Sequence, residues 1–204
     1  MRRAGIAVVA AVLTLGLAGC TEKTDPPNPM SSGATPSAGR PALPYADAPK
    51  VTDPLPASLM QRSPCDVLTP AQLTSLFTNE PEAHPARDTG IAQQCHWTDL
   101  SRGSSIGIQM LYAARDGLSQ FYAKKQSNKL WEPLEPVQGY PVVAYGANDT
   151  RQTLGDCSVL VGVADNAVFE VDVNVVDSKV GTVDPCADAR MVADLAVTTL
   201  KSGA

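Results

Sequence analysis

Cys157-Ser158-Val159-Leu160-Val161-Gly162-Val163 and Ala167-Val168-Phe169-Glu170-Val171-Asp172-Val173-Asn174-Val175-Val176 stand on either side of Asp165-Asn166. Both runs alternate with a period of two. Val159, Val161 and Val163 share one face of the first run. Phe169, Val171, Val173 and Val175 share one face of the second, with Glu170, Asp172 and Asn174 on the other. An extended strand sorts apolar from polar side chains at that spacing, and Asp-Asn supplies the turn chemistry of a tight hairpin. The pattern predicts two antiparallel strands with one face buried and one solvated.

Working outward, Ser105 to Tyr112 alternates through Ile106, Ile108 and Met110, Tyr140 to Tyr145 is β-branched and aromatic, and Cys95-His96-Trp97 opens a further strand. Helices flank this region. Thr69 as N-cap, Pro70 at the first helical position and Gln72 three residues after the cap form a helix start with a capping box, ending near Asn79-Glu80-Pro81. A second helix is expected from Gly117 to Lys129 with Leu118, Phe121 and Tyr122 inward. A third begins at Asp184-Pro185 and places Cys186, Ala189, Val192, Ala193, Ala196 and Leu200 on one stripe. The fold class predicted is α+β: an antiparallel sheet of four to six strands, helices packed on one face, and two disulfides.

The chain divides into three parts. Residues 1–19 carry Arg2-Arg3, then an uncharged, mostly apolar run from Ala4 to Ala18, which is too short for a bilayer span and suits a secretory leader. The leader closes on Leu17-Ala18-Gly19-Cys20, which resembles the lipobox of bacterial lipoproteins. That resemblance implies a lipidated Cys20 as first residue of the mature protein, held at the outer face of the cell membrane by its acyl chains. Residues 20–62 hold most of the prolines among Ser, Thr, Gly and Ala, and read as a disordered tether, with Val51 to Met60 packed as an extended arm as the alternative. Residues 63–204, about 140 in all, suffice for one domain with its own core and are too few for a (β/α)₈ barrel or a two-domain dehydrogenase. A formal net charge of −5 argues against a nucleic-acid partner. Lys124-Lys125, the one basic doublet after the leader, reads as a solvated helix face.

With Cys20 lipidated, Cys65, Cys95, Cys157 and Cys186 remain for an oxidising compartment. Four cysteines allow three connectivities. Cys65–Cys95 with Cys157–Cys186 is favoured, because each bond closes a loop of about thirty residues and ties a helix start to a strand, stabilising by about 3.6 kcal/mol in the chain-entropy account. No C-x-x-C pair occurs, so a zinc ribbon or a thioredoxin-like site is unsupported.

Pro64-Cys65-Asp66-Val67-Leu68-Thr69 before a helix, Cys95-His96-Trp97 opening a strand, Cys157-Ser158-Val159-Leu160-Val161 in the sheet and Pro185-Cys186 opening the last helix resemble the actinobacterial lipoprotein family known as domain of unknown function 3558, over about residues 63–201. The resemblance implies fold and location and assigns no catalytic residue. The layout is also similar, more loosely, to disulfide-bonded extracellular sensor domains of some actinobacterial Ser/Thr kinases, which by analogy points to ligand sensing.

Catalytic patterns are sparse. Gly103-Ser104-Ser105-Ile106-Gly107 matches G-x-S-x-G, but strand-like alternation follows Ser105 where a nucleophile elbow needs a helix, and His84 and His96 both precede it. His84 reads as a surface loop residue and His96 as a partly buried, hydrogen-bonded one. As metal ligands they would need Asp88 or Asp99 as a third donor. Glu170, Asp172 and Asn174 read as a solvated sheet face, Trp97 as packed on the Cys65–Cys95 bridge, and Trp131 as packed in the core or a loop, although it is the better candidate for an exposed aromatic contact. No metal and no cofactor is expected. The function expected is a monomeric, non-catalytic module, anchored to the membrane through lipid, that binds a small envelope ligand or a partner protein. The alternatives are an envelope enzyme using converging carboxylates and an accessory subunit of a membrane complex.

Overall fold

A computed structural model describes residues 41–203; the leader, Cys20 and the tether up to residue 40 lie outside the described residues. Strands β1 (Glu82–Asp88), β2 (Gln93–Asp99), β3 (Ser104–Met110), β4 (Leu130–Val137), β5 (Tyr140–Gly146), β6 (Asp156–Ala164) and β7 (Ala167–Asn174) form one antiparallel sheet in the order β1-β2-β3-β7-β6-β5-β4. The hairpin read from the sequence is β6–β7, closed by the Ala164–Ala167 pair across Asp165-Asn166. Seven strands stand where four to six were expected. The two extra strands, β1 and β4, are the sheet's edges and contain Pro85, Pro133 and Pro136. Proline cannot donate to a ladder and is tolerated at an edge, so these strands lack the alternation that reveals the others. His84 therefore lies in β1 and not in a loop.

Three helices accompany the sheet: α1 (Pro70–Leu76), α2 (Ser119–Tyr122) and α3 (Pro185–Ser202). In α1 the capping box forms as expected, with Gln72 N–H donating to Thr69 Oγ1 and Thr69 N–H donating to Gln72 Oε1. The stripe of α3 from Cys186 to Leu200 is buried against the inner face of the sheet with Phe169, Val171 and Val173. The helix expected over Gly117 to Lys129 shrinks to α2 and a 3₁₀ turn at Lys125–Ser127.

Helices on one face were also expected, and the connectivity overturns that. Strand β3 lies beside β7, whereas β4 lies at the far edge, so the link between them must cross the outer face over β7, β6 and β5. In crossing, Ala114, Leu118 and Tyr122 bury a second apolar cluster with Val143, Leu160 and Val168. Gly162 permits the close approach: a Cβ there would sit 2.7 Å from Leu118 Cδ1. Trp131 packs edge-on against Tyr122 in this layer, ring centroids 4.9 Å apart.

Cys65–Cys95 and Cys157–Cys186 are bonded as the loop argument favours, across sequence separations of 30 and 29. The first bridge ties the approach to α1 to β2. The second ties β6 to the first turn of α3. Trp97 is buried in the core cluster that also contains Cys95.

Residues 41–62, assigned by composition to the tether, are a strap docked on the domain. Tyr45 N–H donates to Ser119 Oγ and Ala48 joins the outer cluster. Val51 N–H then donates to Asp165 Oδ1, and Leu55 N–H to the Val163 carbonyl. Val51, Leu55 and Leu59 are buried in the inner core. The strap thus rounds the β6–β7 hairpin tip from one face to the other. Composition hides this because three apolar side chains suffice when they fill gaps in a core that is already formed. Leu59, 4% exposed, tests the docking: Leu59→Ala should lower unfolding free energy by about 2–3 kcal/mol in urea, where a free tether would give no change.

Candidate functional site

Two regions of the sheet concentrate chemistry, one on each face. On the outer face the antiparallel register aligns side chains in rows. His84, His96, Gly107, Asp172, Ser158, Tyr145 and Trp131 follow one another across all seven strands. The adjacent row carries Arg87, Gln94, Gln109 and Glu170 before it turns apolar at Leu160 and Val143. The α2 crossing covers the β4–β6 end, and the β1–β3 end is open.

Where covered and open halves meet, Glu170 is 8% exposed, so the solvated acidic face expected from the sequence is corrected at its centre. Alternation marks Glu170 as outward, but Tyr145, itself packed edge-on by Phe121 of α2, is bonded over what the strand pattern turns out. Tyr145 O–H donates to Glu170 Oε2 at 2.8 Å. Beside it, Asp172 accepts from Ser158 Oγ at 2.5 Å and from Gln109 Nε2 at 2.8 Å. Burial, and then the Asp172 carboxylate alongside, push the Glu170 carboxyl from its ordinary 4.5 up to about 8. Burial also raises the Tyr145 phenol, with Glu170 adding to it. Asp172 has both oxygens engaged and Glu170 its Oε2, which suits a polar network that fixes the packing of β5, β6, β7 and β3 at this point.

On the inner face a hollow of about 550 Å³ opens between α1 and the β1–β2 edge. Leu73, Phe77, Pro81, Ala83 and Trp97 form its apolar lining, and Thr74, Thr78, Asn79 and Glu80 its polar part. Its origin is local. No residue of α1 is fully buried, and β1 presents the small Ala83 opposite Trp97, where a large side chain would close the gap. The Cys65–Cys95 bridge holds the two walls at a fixed spacing.

The remaining singled-out residues separate. Asp88 accepts from Tyr112 O–H, and Asp99 accepts from Asn79 and Ser101, so neither joins His84 and His96. Among the described residues no group of three or more His, Cys, Asp or Glu is placed to hold a metal ion. His84 Nε2 contacts Thr98 Oγ1 at 3.2 Å. Ser105, His96 and Asp172 share the outer face, but no hydrogen bond joins them, and Ser105 sits within β3 with no helix after it. Asn174 donates to the Leu154 carbonyl. Sequence reading missed the hollow, which depends on a strand without a periodic signal, and missed Tyr145 as the partner of Glu170. Cys20 lies outside the described residues.

A family model described as protein of unknown function, DUF3558, matches residues 15–199. No curated protein matches the chain, and no solved structure does.

The Glu170 geometry sets a pH dependence. The folded state keeps a proton on Glu170 over a range in which the unfolded chain releases it, so stability should fall as pH rises from about 4.5 to about 8 and level off above. Urea denaturation across that range should show this decline for the native chain and a flatter profile for Glu170→Gln. Parallel profiles would remove the assignment.

Proposed function

Because the chain belongs to the DUF3558 family, described as proteins of unknown function, we propose that it is a lipid-anchored, extracytoplasmic module that captures a small, largely apolar ligand without transforming it. The observation that carries the capture reading is the hollow beneath α1. Its volume falls in the range of small-molecule sites, its lining is apolar, and a few polar groups accompany it to orient a guest. Both walls are tied to one disulfide, so the hollow is preformed and little ordering is needed on binding. An enzymatic reading would use Glu170 and Asp172, the carboxylates that do converge, but Ser158 and Gln109 already engage both oxygens of Asp172, Tyr145 engages Glu170 Oε2, and Glu170 is buried. The anchoring reading is supported by the leader and Leu17-Ala18-Gly19-Cys20, together with two disulfides of the kind formed outside the cytosol. No helix among the described residues is long and apolar enough to cross a membrane.

Native mass spectrometry of the chain purified from its producing cells should show a retained small molecule. Ala83→Phe, which places a ring in the hollow, should release it with the fold intact; a bare mass in repeated preparations of the native chain would end the capture reading. Separately, Cys20→Ala should move the protein from the membrane to the soluble fraction, and equal membrane retention would end the anchoring reading.

A further inference from the structure

The outer face of the β1–β3 edge carries a second hollow, of about 360 Å³, lined by His84, Pro85, Arg87, Gln94, His96, Thr98 and Ser105. It lies across the sheet from the apolar hollow, on different side chains of the same two strands. We propose that it is a binding site for a phosphate-type oxyanion.

Four observations carry this. First, the register of β1 slips by one between His84 and Arg87: His84 pairs with His96, and Arg87 with Gln94. His96 and Gln94 are two apart and share a face, so the bulge brings His84 and Arg87, three apart, onto that same face. Without the extra residue Arg87 would point to the opposite side. A bulge that re-aims a side chain beside a site is a known use of the motif. Second, the lining supplies a guanidinium, two imidazoles, a carboxamide and two hydroxyls, and contains no carboxylate. The Asp172 carboxylate at the floor beside His96 already accepts from Ser158 and Gln109. Third, among the described residues the side chains of Arg87, Gln94, His96 and Ser105 make no hydrogen bond or ion pair with the protein, so their donors are free for a guest; only His84 and Thr98 contact each other. Fourth, Gly107 opens the floor. A Cβ there would lie 2.6 Å from His96 Cε1 and 3.2 Å from Asp172 Oδ2, so glycine lets the imidazole lie low over β3. Donors converging from three strands around a hollow suit a tetrahedral anion with several acceptor oxygens, and Arg87 supplies the charge-assisted contacts.

Inorganic phosphate and the phosphate of a lipid headgroup present the same chemistry. The test uses the mature chain carrying Cys20→Ala, titrated by calorimetry with inorganic phosphate and with glycerol phosphate, and sedimented with phosphatidylcholine vesicles with and without phosphatidylglycerol. Saturable binding of inorganic phosphate is expected for a free-anion site. Preference for glycerol phosphate and for phosphatidylglycerol vesicles is expected for a headgroup site. In either case Arg87→Ala should weaken binding by about tenfold or more, and Arg87→Lys by less. Arg87 is exposed, so its loss leaves the core intact, and Arg115→Ala serves as a control of equal charge away from the hollow. Absence of saturable binding to every probe would overturn the proposal, as would equal weakening by Arg87→Ala and Arg115→Ala, which marks diffuse attraction. Since the two hollows share no side chain, retained phosphate binding in Ala83→Phe separates this site from the capture reading.

Discussion

Strand β3 pairs with β7, its partners lying from 59 (Met110–Phe169) to 69 (Ser105–Asn174) residues away in sequence, and the rest of the arrangement depends on that seam. On one side of it lies the meander β1–β2–β3, on the other the meander β4 to β7. Joining them through β3 and β7 leaves β4 at the far edge, which sends the β3–β4 connection across the outer face. Leu118 and Tyr122 then cover β5 and β6, Tyr145 is enclosed, and Glu170 becomes a buried carboxyl. The same pairing sets Gln109 beside Asp172 and Gly107 between His96 and Asp172. The outer face is thus closed and apolar at one end and open and polar at the other.

Two disulfides and the strap reinforce what this seam arranges. The β6–β7 hairpin is locally encoded, but long-range antiparallel pairing requires large loops to close before contacts form, which makes it entropically costly. The bridges sit where that cost is felt: one ties α3 to the central sheet and the other ties the approach of α1 to the β1–β3 meander. The strap adds a third constraint without a covalent bond. Its hydrogen bonds to Asp165 Oδ1 and the Val163 carbonyl hold the hairpin tip, and its apolar side chains enter both buried layers.

Strands β1 and β2 offer opposite chemistries on their two sides. On the inner side Ala83 and Trp97 line an apolar hollow; on the outer side His84 and His96, one step along each strand, line a polar one. Period-two alternation makes this possible on any strand, but the bulge at Pro85-Ala86 gives β1 an extra outward residue, and Arg87 occupies it. A sequence pattern searched at strict alternation does not find such a strand. The outer face divides into donors and acceptors that are already engaged and those that are free: Asp172 and Glu170 are bonded to neighbours, whereas among the described residues the Arg87 and Gln94 side chains are not.

Local rules were enough for the elements whose signals are local. The β6–β7 hairpin, the capped start of α1, the buried stripe of α3 and the pairing of four cysteines follow from period, turn chemistry, capping and loop length, each of which acts within about thirty residues. The order of the strands, the second layer under α2, the docking of residues 41–62 and the burial of Glu170 were decided only in three dimensions. In each of these a second element is laid against the strand, the strap on Asp165, Tyr145 of β5 on Glu170 and Leu118 of the crossing on Val143, and the strand's own period does not announce it. Alternation states which side of a strand a residue takes, and it carries no information on what will later be laid over that side.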